Sequence, residues 1–139
     1  MKLNCDLGEG FACEGAVMPF IDQANIACDA HAGSMELMRQ TVILARKLRV
    51  SIGAHPGYPD RENFGRFDLD ISDEELTSSI SDQIFCLANI VEEQNCNISH
   101  VKPHGALYNN AAINEQLATL IGDVIKSIDP SLPIMCLAG

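Results

Sequence analysis

Short apolar runs along this chain are separated by stretches in which apolar residues recur at every third or fourth position. Runs of the first kind read as buried strands, and the second spacing reads as one face of a helix. On that pattern strands are expected at residues 3–6, 24–28, 50–54, 99–102 and 134–137. Leu37, Met38, Thr41, Leu44, Ala45 and Leu48 mark one helix. Ser34 is its N-cap and Glu36 suits its first turn. Leu76, Ile80, Ile84, Leu87 and Val91 mark a longer helix that fades by Asn95. Ser72 with Glu75 three residues on is a capping box at its start. Leu117, Leu120, Ile121, Val124, Ile125 and Ile128 mark a third helix, capped by Asn114 and ended by Asp129–Pro130. A turn or two of helix over residues 17–23 is also expected, with Pro19 limiting where it starts.

Strand and helix in alternation argue a parallel sheet with helical crossovers. In such a sheet every strand ends at the same rim, where ligands of α/β barrels bind. The residues at the expected strand ends are therefore of interest. Asp6 and Glu9 follow the first strand, with glycines between and beyond them. His31 follows the second. His55 opens a rigid His55-Pro56-Gly57-Tyr58-Pro59-Asp60 loop after the third. Lys102, Pro103, His104 and Gly105 follow the fourth. The proline stops the ladder there and the glycine permits a close turn. An acid, three imidazoles and an amine, far apart in sequence, are expected around one pocket mouth.

The 139 residues suffice for one domain with a core, and 47% are apolar and 20% charged. The formal charge of −10 argues against a nucleic-acid surface, and no apolar run is long enough to span a membrane. The six cysteines form no CxxC pair. With no signal-peptide pattern at residues 1–6, they read as reduced thiols of a cytoplasmic protein. Cys28 reads as a buried thiol. A sheet whose fifth strand has no partner beyond it reads as the front of a larger barrel, incomplete at its C-terminal end.

Five blocks carry a more specific signal: Asn4-Cys5-Asp6-Leu7-Gly8-Glu9, Asn25 to Cys28 with His31-Ala32-Gly33, Gly53 to Asp60, Phe64-Gly65-Arg66, and His100 to Asn109. In order and spacing they resemble the LamB/YcsF family of 5-oxoprolinase A-type subunits, across essentially the whole chain. The resemblance implies an irregular, TIM-like (β/α) barrel of the glycoside hydrolase/deacetylase superfamily. About five parallel strands of seven would lie in this one domain, residues 1–139. It implies a role with two other 5-oxoprolinase subunits in the ATP-dependent opening of 5-oxo-L-proline to L-glutamate, with ATP bound through the partners. At one point the chain departs from the family pattern. Asp29 stands where the family usually has a glycine, a position open to unusual backbone angles, and Ala30 stands where an aromatic residue is usual.

The candidate catalytic residues are Asp6, His31, His55, Lys102 and His104. Lys102 would stabilise developing negative charge or a phosphate, and the acid or a histidine would move protons. Asn4, Glu9, Tyr58, Arg66 and Tyr108 are candidate substrate-binding residues. For the tyrosines the alternative is loop packing, and for Arg66 it is a salt bridge to Asp60 or Asp68. A second reading makes Asp6, His55 and His104 ligands of a divalent metal such as zinc, as in a metal-dependent amide or sugar deacetylase. A third makes the chain an inactive fragment.

Overall fold

The computed structural model describes residues 2–138. They form a four-stranded parallel sheet in the order β1-β2-β3-β4, with β1 Asn4–Leu7, β2 Gln23–Ala27, β3 Ser51–His55 and β4 Ile98–Val101. Helices α1 Glu14–Val17, α2 Met35–Leu48 and α3 Asp73–Glu93 make the crossovers, and α4 Gly105–Ala111 and α5 Glu115–Ile128 follow β4. This is an α/β fold, as the alternating pattern predicts.

Strand side chains alternate between two faces. On one face Ala24 and Ile26 of β2, Ile52 and Ala54 of β3 and Val101 of β4 join the core. Against them pack Met38, Val42 and Ala45 of α2, Ile80, Ile84 and Leu87 of α3, and Ile121, Val124 and Ile125 of α5. The other face is polar: Asp6, Asn25, Gly53 and His100 occupy neighbouring register positions across all four strands. His55 and Lys102 lie two residues further along their strands, at or just past the rim.

Capping follows the sequence. Ser34 Oγ accepts from the Leu37 amide, Asn114 Oδ1 from the Leu117 amide, and Ser72 with Glu75 closes a reciprocal box. Three expectations are corrected. The helix expected over residues 17–23 is instead α1, followed by a 3-10 turn at Met18–Phe20. The amides of Asp22 and Gln23 both bond the Leu3 carbonyl, which draws these residues into the sheet. The fifth strand is reduced to one bridge between Val101 and Ile134, so the described residues contribute four strands rather than five. The residues after Gly105, expected as a turn, form helix α4, for which Gly105 supplies a φ of 54°. A Cβ there would lie 2.5 Å from the Gly65 carbonyl oxygen, so only glycine fits. No helix among the described residues is long and apolar enough to cross a membrane.

Candidate active site

All four strands being parallel, the loops after β1, β2, β3 and β4 meet at one rim. Asp6 is the centre of a charged group there. Lys102 Nζ donates to Asp6 Oδ1 at 2.7 Å and to Oδ2 at 3.0 Å. Asn25 Nδ2 donates to the same Oδ1 at 2.8 Å, and His55 Nε2 lies 3.4 Å from Oδ2. Burial alone would raise the Asp6 carboxyl. The bonds and charge of His55, with the bonds from Lys102 and Asn25, outweigh it and hold the group well below the ordinary carboxylate range.

Glu9 is the second acid. Its side chain is 8% exposed, and Oε1 lies 3.3 Å from His31 Nε2, 3.4 Å from His104 Nδ1 and 3.9 Å from His55 Nε2. Burial raises its carboxyl, but the His31 bond and the three imidazoles bring it below its usual value. The loop that delivers Glu9 is fastened by Glu14, whose carboxylate accepts the consecutive amides of Gly8, Glu9, Gly10 and Phe11 at 2.7 to 3.0 Å.

The histidines are oriented by atoms that can only accept. His55 Nδ1 donates to the Lys102 carbonyl at 2.6 Å, and His104 Nε2 donates to the Phe64 carbonyl at 2.9 Å. This leaves His55 Nε2 and His104 Nδ1, 3.0 Å apart, each presenting a lone pair when both rings are neutral. Two lone pairs at that distance repel, so the pair favours a proton or a cation taken up between them. Burial, then the neighbouring imidazoles, push His104 down to about 4, so it is a poor resting place for that proton. His31 is also pushed down by burial, partly offset by Glu9. Its Nδ1 is buried with no hydrogen-bond partner among the described residues, which leaves Nε2 as the atom that engages Glu9.

Glu9, His31, His55 and His104 bring one donor atom each to within 4.8 Å of one another. They cannot all hold one ion. The His31 and His104 rings are stacked, 3.6 Å between centroids and 5° between planes. Ring-nitrogen lone pairs lie in the ring plane, and no point near the nitrogens lies in two parallel planes. His55 and His104 are perpendicular instead, at 90°. His55 is near-perpendicular to His31 as well, at 87°, so stacking excludes only the pairing of His31 with His104. His31 Nε2 is turned to Glu9, while His104 Nδ1 faces His55 Nε2 at 3.0 Å. Glu9, His55 and His104 are therefore the set that fits a three-ligand metal site with a position left for water. It differs from the expected set of Asp6, His55 and His104 in taking Glu9 for Asp6. Asp6 is already neutralised by an ammonium 2.7 Å away, which would repel a cation at the same oxygen.

The remaining candidates divide. Asn4 accepts from Asn25 through Oδ1 at 2.9 Å. Tyr108 is half-buried with its ring centroid 6.0 Å from Lys102 Nζ. Tyr58 is buried in the hydrophobic core. Arg66 is exposed and bonds neither Asp60 nor Asp68 among the described residues. Its guanidinium lies 5.1 Å from the centroid of the Phe64 ring. Cys28 is a fully buried thiol that burial pushes up to about 12. An opening of about 330 Å³ lined by Glu9, His31, Leu37, Arg61 and Phe64 reaches Glu9 and His31.

The sequence model of the LamB/YcsF family matches residues 1–139. The chain belongs to the LamB/YcsF family. It is 43% identical over 139 residues to proteins named as the A-type component of 5-oxoprolinase in Neisseria meningitidis serogroup C (strain 053442) and serogroup A (strain DSM 15465 / Z2491). The match covers all of this chain and 57% of each relative, so the chain spans a little over half their length. The crystal structure of a lactam utilization protein from Thermus thermophilus superposes with a TM-score of 0.94 at 36% identity. The match covers all of this chain and 58% of that one. The fold is thus that of the family, a TIM-like barrel, of which these residues supply four strands.

The departure from the LamB/YcsF pattern at Asp29 has a structural counterpart. Asp29 adopts φ 64°, a left-handed conformation that a glycine takes without strain. Arg61 holds it there, pairing with its carboxylate and bonding the Asp29 and Gly33 carbonyls at 2.9 Å each. Three residues of the site are not among those that sequence reasoning selects. Glu14 begins a four-residue helix that carries no visible pattern. Asn25 and His100 do carry a signal: Asn25 lies between Ala24 and Ile26 and His100 precedes Val101, polar positions on the same face as Asp6 and Lys102.

Proposed function

We propose that this chain is the ring-opening part of an ATP-dependent 5-oxoprolinase built from several subunits, acting on the lactam of 5-oxo-L-proline. The observation that carries this reading is the convergence of the Asp6–Lys102 pair with His55, His104 and the Glu9–His31 pair at one rim. A lactam carbonyl is a poor electrophile. Transfer of the ATP γ-phosphoryl group to the lactam oxygen on partner subunits, with release of ADP, would make the ring carbon reactive. Water then adds to that carbon, giving up a proton to the His55–His104 pair, and the ring C–N bond breaks as its nitrogen takes a proton. The resulting acyl phosphate loses phosphate to a second water, leaving glutamate. Lys102, held by Asp6, faces the negative charge that develops on the oxygen. Asp6 and the Lys102 carbonyl fix the His55 ring for proton transfer.

The test is reconstitution of the full chain with the two partner subunits of a relative, supplemented with the portion of that relative's A-type chain that this one does not cover. Glutamate and phosphate are measured with 5-oxo-L-proline and ATP. Turnover should require all components and both substrates. Asp6→Asn and His55→Ala should each lower kcat by roughly 10² to 10⁴. ATP-independent hydrolysis of an acetylated amide or sugar, without turnover of 5-oxoproline, would overturn the proposal.

A second reading rests on the facing lone pairs of His55 and His104. With Glu9 they would hold a divalent ion, which when bound supplies a Lewis acid and an acidified water. The expected outcome is one equivalent of zinc by calorimetry, lost in Glu9→Gln and His104→Ala and kept in His31→Gln. Equal loss in all three would contradict that ligand set.

A further inference from the structure

We propose that His100 and Asn25 form a positioning relay for the Asp6 carboxylate, and that Gly53 is glycine because the relay crosses it. The proposal rests on the functional reading of Asp6 above. Asp6, Asn25, Gly53 and His100 are successive register partners across β1, β2, β3 and β4. His100 therefore starts two strands away from Asn25, yet its Nε2 lies 2.7 Å from Asn25 Oδ1. The ring spans the gap by lying over Gly53. A Cβ at Gly53 would fall 2.1 Å from His100 Nε2 and 2.4 Å from Cδ2 and Cε1, so any side chain there displaces the imidazole.

The relay has a direction. A carboxylate only accepts, so Asn25 must turn its amide nitrogen to Asp6 Oδ1 at 2.8 Å. Its second amide hydrogen goes to Asn4 Oδ1 at 2.9 Å. Both hydrogens are then used, and Asn25 Oδ1 is left facing His100. Only a hydrogen on His100 Nε2 satisfies it. The opposite nitrogen, Nδ1, lies 2.8 Å from Ser99 Oγ, whose one hydrogen is contested by the Ile52 carbonyl at 2.9 Å. Three groups thus stand in sequence, His100 donating to Asn25 and Asn25 to Asp6. Asn25 is fully buried and His100 is 2% exposed, so water does not substitute for either.

The consequence for Asp6 is orientation. Lys102 Nζ bonds both carboxylate oxygens and would follow the group as it turns. Asn25 holds Oδ1 alone and comes from a rigid central strand, so it fixes the carboxylate plane. Oδ2 is then kept 3.4 Å from His55 Nε2. Neither His100 nor Asn25 reaches the rim, so both are positioning residues.

The test combines kinetics with a readout that does not depend on turnover. In the reconstituted enzyme, His100→Ala should lower kcat by up to about a hundredfold, the scale of a misplacement of about 1 Å, with KM little changed. His100→Gln carries an amide nitrogen where His100 has Nε2 and should recover most of that loss. In an Asn25→Ala background the Ala and Gln variants should be equal, because the link to Asp6 is already cut. In the 139-residue chain alone, nitrogen NMR should show His100 as the Nε2–H tautomer, and that preference should relax in Asn25→Ala. Equal losses for His100→Ala and His100→Gln, tracking their melting temperatures, would make His100 merely structural and overturn the relay, as would an Nδ1–H tautomer. If the wild type fails to turn over 5-oxoproline, the functional reading falls while the tautomer still tests the relay.

Discussion

Asp29 shows what a single residue can and cannot disclose. Its neighbours in sequence identify a loop, and the missing glycine suggests a conformation that most residues avoid. The structure supplies the rest: φ is 64°, and the guanidinium of Arg61 compensates. Left-handed geometry costs an ordinary residue about 1–2 kcal/mol, less for aspartate. The exposed ion pair returns about 0–1 kcal/mol. Arg61 would keep its bonds to two backbone carbonyls without the Asp29 side chain. Asp29→Gly should therefore leave stability unchanged or raise it by about 0.5 kcal/mol in urea denaturation. Asp29→Val, β-branched at the same φ, should lower it by about 1–2 kcal/mol.

At the scale of the element, the helices legible in sequence are those with an apolar face and a capping residue. Helices α2, α3 and α5 begin at Ser34, Ser72 and Asn114, as the letters indicate. Helices α1 and α4 lack both signals. The first is four residues long, and the second starts from His104 with no side-chain cap, held instead by the Ala106 amide on the Gly65 carbonyl. That bond joins residues 41 positions apart, which no local pattern encodes. The fifth strand failed for a related reason: an apolar run shows that a segment can pair, but pairing needs a neighbour in register. Because the Ser72 box closes a 21-residue helix through two reciprocal bonds, Ser72→Ala should cost about 1 kcal/mol by chemical denaturation. Glu75→Gln should cost less, since an amide oxygen can still accept.

Across the whole molecule, the sequence discloses the shared rim because strand direction follows from alternation alone. It does not disclose which imidazoles stack, which is a matter of tertiary distance. The polar face has a further effect on acid stability. Burial holds the His31 and His100 imidazoles below the ordinary histidine value of 6.5. Between 6.5 and their folded values the unfolded chain binds more protons than the native one, so stability falls as pH drops through that window. Each such group contributes a slope of up to about 1.4 kcal/mol per pH unit. Asp6 and Glu9 are held below 3.8 and 4.5, so they bind fewer protons folded and stability declines again at lower pH. Denaturation in chelator-containing buffer should show a first decline starting near about pH 6.5 and a second starting near about pH 4. His100→Gln should flatten the first and leave the second.

The sheet keeps its apolar side for the helices and its polar side for chemistry. Mutational drift on the outer helices, at sites as exposed as Phe85 or Ile43, is thereby uncoupled from the rim. A saturation library of this chain should split into two populations. In one, tolerance is set by side-chain volume and reported by yield. In the other, folding survives and only catalysis records the damage.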